Sequence, residues 1–211
     1  MTELEAINRM LAAIGQAPVN SVDQTNPDVA ICSRTLLQVS QEVQSEGWTF
    51  NKVTNTKLTP DAAGRIIIRD VNTDPSIDYI LQIDLSHDTF FSRDKNAIAK
   101  KDGNSIYLYD TVGQTFDWGE EEVVVDITYY YATLAVLPPA AQNYIVARAS
   151  SMLSMQTVGD PTQYQILQQL EIYSRVLLQE YETTQGDYTF FGHPAGSNYY
   201  NSYQPYHTLS R

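Results

Sequence analysis

The period of the hydrophobic residues changes twice along this 211-residue chain, and that order limits the fold more than any motif does. Up to about residue 46, apolar side chains recur every three or four positions. From Trp48 to about Tyr131 they fall into short runs of strand character, and from Pro138 to about Tyr181 the three-to-four spacing returns. The first spacing puts apolar residues on one face of a helix; the short runs suit strands. The order predicts an α+β fold: an antiparallel helical bundle with an inserted small antiparallel β domain and an extended aromatic C-terminal tail. The corresponding boundaries are 1–47 and 135–183 for the two helical pairs, 48–134 for the β insertion and 184–211 for the tail.

Terminal signals support the helices. Thr2 and Glu5 have capping-box spacing ahead of a helix to Ile14, with Leu4, Ile7, Leu11 and Ile14 as its stripe. Gly15 suits a left-handed C-cap, and Pro18 follows. Asn26 and Pro27 suit the N-cap and first position of a second helix running to Glu46, with Val29, Cys32, Leu36, Val39 and Val43 as its seam and Gly47 as its stop. A third helix is expected from Pro138-Pro139 to Gln156. Its small face is Tyr144, Ala147, Ser151 and Ser154, with Ile145, Met152 and Met155 alongside. Asp160-Pro161 opens a fourth helix ending before Gly186. It has a mixed face (Tyr164, Leu167, Glu171, Ser174, Leu178) and a broader apolar one (Ile166, Leu170, Tyr173, Val176, Leu177, Tyr181).

Between the helical parts, strands are expected at Trp48–Phe50, Ile66–Ile68, Tyr79–Ile83, Ile106–Tyr109 and Val123–Tyr129. Turn signals at Asp74-Pro75, Lys101-Asp102-Gly103-Asn104 and Trp118-Gly119 separate them, as in a small antiparallel sheet, sandwich or barrel. Trp48 is expected to be buried where the second helix enters the sheet. The tail carries Tyr188, Phe190, Phe191, Tyr199, Tyr200, Tyr203 and Tyr206 among Gly, Pro, Ser and Asn, without helical or strand period. Aromatic residues in that number suit docking onto a neighbour.

Few features point to chemistry. Cys32 is the only cysteine, so neither an internal disulfide nor a cysteine metal cluster is expected; it reads as a small buried residue in a reducing cytosol. Glu120-Glu121-Glu122 lacks the opposed geometry that glycoside hydrolysis needs. His87-Asp88 beside Ser86 or Ser92 has no nucleophile-elbow pattern, and His193 and His207 lie in the tail. No phosphate-binding GxxxxGK[ST] loop occurs. Neither a run of about 20 apolar residues nor a signal-peptide start is present. The net charge of −12 argues against a grip on nucleic acid, although Arg93, Lys95, Lys100 and Lys101 make a modest basic patch with Phe90 and Phe91 nearby.

Several stretches resemble the tail tubular protein A family, the head-to-tail adaptors of short-tailed phages. They are Ile7-Asn8, Leu11-Ala12, Ile14-Gly15, Pro18-Val19, the element Gly47-Trp48-Thr49-Phe50-Asn51, Leu137-Pro138, Tyr144-Ile145-Val146, Arg148-Ala149-Ser150, Gly159-Asp160-Pro161 and Gln179-Glu180-Tyr181-Glu182. The resemblance implies a structural role with no enzymatic activity and no cofactor, as a homo-oligomeric ring, usually of twelve copies, under the capsid portal. The implied partners are the portal protein, a nozzle protein similar to tail tubular protein B, and the tail fibre. The resemblance also implies that double-stranded DNA passes through the ring channel without specific binding. The implied location is the head–tail junction of the virion, after synthesis in the host cytoplasm. The seven tail aromatics then become portal-binding candidates, and Tyr164, Leu167, Tyr173, Leu177 and Tyr181 subunit-interface candidates. Gly15, Pro18, Gly47, Trp48 and Phe50 take structural roles. The competing reading is a glycan-binding or glycan-hydrolysing virion tail protein, since Tyr-rich surfaces suit sugar stacking.

Overall fold

A computed structural model describes residues 1–23, 25–70, 79–86, 95–103, 105–119 and 122–186. Among these residues the fold is mixed α+β, with four α-helices and six strands in two small antiparallel sheets. The helices are α1 (Glu3–Ala13), α2 (Pro27–Gln44), α3 (Pro139–Thr157) and α4 (Pro161–Gly186). The strands are β1 (Lys52–Leu58), β2 (Ile67–Asp70), β3 (Tyr79–Leu85), β4 (Ala97–Asp102), β5 (Ser105–Asp110) and β6 (Val123–Tyr130).

The expected caps form. The Thr2 hydroxyl accepts the Glu5 amide, and the Glu5 carboxylate accepts the Thr2 amide. Asn26 Oδ1 accepts the Asp28 amide, and Asp160 Oδ1 accepts the Thr162 amide. Gly15 and Gly47 have φ near +75°, where an L side chain is strained, so glycine is what lets the chain turn out of α1 and α2. Pro18 is exposed; the turn it begins is fixed at the next residue, where Asn8 both donates to the Val19 carbonyl and accepts its amide.

The α2 seam Val29, Cys32, Leu36, Val39 and Val43 is fully or almost fully buried. It packs with Ile7, Met10 and Leu11 of α1 and with Tyr144, Ile145, Ala149 and Leu153 of α3. Helix α3 touches each of the other three helices and is buried on most sides. Its small residues Ser150, Ser151 and Ser154 let α4 approach closely. Met155, expected beside this face, is exposed instead, next to the buried Leu153 and Ser154 on the same turn.

The β part has its own core, drawn from both sheets. Sheet order is β1-β6-β3 and β2-β5-β4. Ile66, Ile83, Ala97, Leu108, Val123, Val125 and Ile127 meet in one cluster with Trp118. Trp118, expected as part of a turn, is 2% exposed and donates its indole N–H to the Leu108 carbonyl. The Lys101–Gly103 hairpin tip forms, with Gly103 at φ +61°; Asn104 and the Asp74-Pro75 turn lie outside the described residues.

Two expectations are corrected here, and two strands are added. Trp48–Phe50 is not a strand. It is a turn in which the Asn51 and Lys52 amides donate back to the Trp48 carbonyl, and the strand begins at Lys52. Strands β1 and β4 had no strong signal, because both are edge strands with mostly exposed residues. Helix α4 runs through Gly186 instead of stopping before it.

The Trp48 turn joins the two cores. Trp48 lies in the helical core and donates its indole N–H to the Val43 carbonyl at 2.7 Å. Phe50 packs half-buried against the same core. Asn51 is 1% exposed: its side chain accepts the Trp48 amide and donates to the carbonyls of Gln44 and Tyr129. Gln44, also buried, donates to Ser40 and to the Tyr131 carbonyl and accepts the Tyr131 amide. Both chain crossings between the helical and β parts are therefore tied to the same pair of amides.

Trp48→Ala is expected to cost roughly 3–5 kcal/mol through the cavity it leaves. Asn51→Ala should cost roughly 2–4 kcal/mol, because three buried backbone groups lose a partner. Chemical denaturation of each variant checks both figures.

Candidate interaction surface

The surface that stands out is on α4. This helix has two apolar aspects. One contains Ser174 and Leu178, both buried, with Tyr164, Leu167, Glu171 and Tyr181 half-buried along the same stripe. The other consists of Ile166, Leu170, Tyr173 and Leu177, spaced four, three and four, with Ile172 and Val176 beside them. All six are exposed, from 39% at Leu177 to 63% at Tyr173. At 3.6 residues per turn, the exposed stripe lies about a quarter-turn from the buried one.

The mixed stripe faces α3, where its Glu171 finds a polar partner and its Ser174 is satisfied within the helix. The Ser151 hydroxyl donates to Glu171 at 2.5 Å, and Ser174 donates to its own helix at Leu170. Leu178 fills the apolar gap between them and the α2 and α3 side chains. Charge pins the arrangement. Arg148 of α3 pairs with Glu42 at 2.9 Å and lies 4.0 Å from Glu46, and Arg175 of α4 reaches Glu46 at 3.7 Å. Partial burial alone would lower the Arg148 pKa; the Tyr144 hydroxyl, Glu42 and Glu171 more than offset this. The side-chain amide of Gln163 donates to the Ala13 carbonyl, fixing the start of α4 on the end of α1. Near the other end, Glu182 accepts the Thr49 amide and hydroxyl, at 2.9 to 3.1 Å.

The five interface candidates thus divide. Tyr173 and Leu177 lie on the exposed stripe. Tyr164 and Leu167 lie half-buried on the stripe that faces α3, and Tyr181 packs against the helical core. The exposed stripe adds Ile166 and Leu170, which were already legible as part of the broad apolar face. The seven portal-binding candidates, Tyr188, Phe190, Phe191, Tyr199, Tyr200, Tyr203 and Tyr206, lie outside the described residues, as do His87, Asp88, Phe90, Phe91, Ser92, Arg93, Glu120, Glu121, His193 and His207.

Among the described residues, no group of three or more His, Cys, Asp or Glu side chains is placed to hold a metal ion, and no helix is long and apolar enough to cross a membrane. Glu122 is exposed and pairs with Lys57 at 3.9 Å across the sheet edge. Cys32 is fully buried, and burial pushes its thiol up to about 11, with Asp28 adding to the effect. A thiol in that state is a packing group and a poor nucleophile.

The model of the family described as tail tubular protein matches residues 4–188, which covers all four helices and both sheets. Tail tubular protein A of Klebsiella phage KP34 is 25% identical over 185 residues, covering 86% of this chain and 87% of the relative.

Leu170→Asp should change the stability of the isolated chain by less than about 1 kcal/mol, since the site is exposed. Leu178→Asp, one face round on the same helix, should abolish cooperative unfolding by burying a charge without a partner. Paired thermal denaturation curves check the contrast.

Proposed function

The chain belongs to the tail tubular protein family, and on that premise we propose that this structural phage tail protein is the head-to-tail adaptor of a short-tailed phage. In this reading, copies form a ring under the portal, with twelve as the number the family resemblance implies. The helical pairs, 1–47 and 135–183, pack side by side around the ring. The β insertion, 48–134, is available to nozzle and fibre proteins, and the aromatic tail, 184–211, reaches the portal. DNA passes through the bore, and an acidic wall repels phosphate so that the genome does not stick.

The observation that carries this reading is the exposed stripe Ile166, Leu170, Tyr173 and Leu177. A ring of identical subunits uses head-to-tail contacts, so each helical unit needs a second apolar face beyond the one serving its own core. Covering these side chains contributes roughly 1 kcal/mol each, since each is about half-exposed alone. The glycan reading lacks comparable support. Its best platform among the described residues is Tyr107, Tyr109 and Phe116 on the β2-β5-β4 sheet, and cations lie over those rings, where a stacked sugar needs them open.

Native mass measurement of the chain with its cognate portal tests the proposal. A portal-bound ring of many copies is expected, lost with Leu170→Asp and retained with Leu37→Asp, an exposed leucine on α2. Deletion of residues 187–211 should leave the fold intact and abolish portal docking. Portal binding by the truncated chain at full strength would reject the role of the tail.

A further inference from the structure

The two sheets present opposite charge on their outer faces. On β2-β5-β4, Tyr107 and Tyr109 alternate with the buried Leu108 and so point away from the β core. Lys100 is paired in register with Tyr107, and its ammonium lies 3.8 Å from the Tyr109 ring centre and 5.7 Å from that of Phe116. The Arg65 guanidinium lies 5.6 Å from the Tyr107 ring and 5.7 Å from Phe116. Phe116 meets both tyrosines edge-on, at 6.1 and 4.8 Å. Two cations are thus held on one aromatic base; Arg65 also contacts Asp102 at 3.3 Å. Ile67 and Ile98, paired with Tyr107 and Tyr109, add exposed apolar surface.

On β1-β6-β3 the outer face carries Asp84 directly opposite Asp126. Like charges in that position repel. Asp126 is relieved by Lys52 at 3.9 Å and by accepting the Asn55 amide, whereas exposed Asp84 accepts the neutral side-chain amide of Gln82 at 2.7 Å.

We infer that the cationic aromatic face of one copy, centred on Lys100 and Arg65, docks on the acidic face of a second copy, centred on Asp84 and Asp126. This rests on the ring reading and names a second contact within it. A head-to-tail contact joins two different faces of the same chain, and here both are present, with complementary charge and on opposite sides of one two-sheet unit. The cations are already ordered on their rings, so less side-chain entropy is lost on docking. A second copy fits better than a DNA duplex: the duplex would bring its dense phosphate charge against the rest of a chain of net charge −12.

The test is a charge swap read by sedimentation at 150 mM salt with the full chain and its cognate portal. Lys100→Glu and Asp84→Lys are each expected to weaken ring assembly at least about tenfold, and the double variant to recover most of that loss. Circular dichroism checks that each variant is folded, and both sites are exposed. If wild type assembles and neither single variant weakens it, or the double variant fails to recover, the pairing of these faces is wrong while the ring stands. If wild type itself forms no ring, the ring reading fails and the pairing fails with it.

Discussion

Two buried amides, Gln44 and Asn51, hold the helical and β parts of this chain in one register. Apolar burial makes each core but is non-directional, so it does not by itself fix how one core sits on the other. The amides supply direction. Gln44 grips the backbone at Tyr131, where the chain leaves β6, and Asn51 grips it at Tyr129 and at the end of α2. Both amide side chains are themselves buried, where satisfied hydrogen bonds are strong and unsatisfied ones costly. The Tyr129 amide in turn donates to the Asn51 carbonyl, closing the join from both sides.

The same turn extends the join to α4. Thr49 donates its amide and hydroxyl to Glu182, four residues before the helix ends at Gly186. Helix α4 is therefore fixed at both ends, through Gln163 on Ala13 and Glu182 on Thr49, as well as along its length by Leu178 and Glu171. That rotation is what leaves Leu170 and Tyr173 outside. A helix attached at one end only could turn its more apolar face inward. Here the polar contacts and the small residues of α3 select the mixed face instead, and an apolar stripe stays available to another chain.

Much of this was legible in the residues. Caps at Thr2, Asn26 and Asp160, and the α2 seam from Val29 to Val43, are local signals that tertiary structure had no reason to override. The Gly47–Asn51 element was recognisable as distinctive, yet its shape was misread. Trp48-Thr49-Phe50 alternates as a strand does, and nothing local shows that Asn51 folds back on the Trp48 amide. Strands β1 and β4 were hard to see because an exposed edge needs no apolar alternation. The orientation of α4 was not decidable either. Both its faces contain large apolar residues, and the deciding partners, Ser151 and Ala13, are distant in sequence. The charge opposition of the sheets required the strand register, since only pairing places Asp84 across from Asp126 and Lys100 beside Tyr107.

The most direct test of the account is whether the α4 stripe is covered in the assembled particle. Cys32 is buried and weakly reactive, so a Leu170→Cys variant carries one accessible thiol among the described residues. Maleimide labelling should be rapid in the free chain and strongly suppressed once the chain is assembled on the portal. Equal labelling in both states would contradict the account, because the stripe would then be exposed in the very assembly it is held open to form.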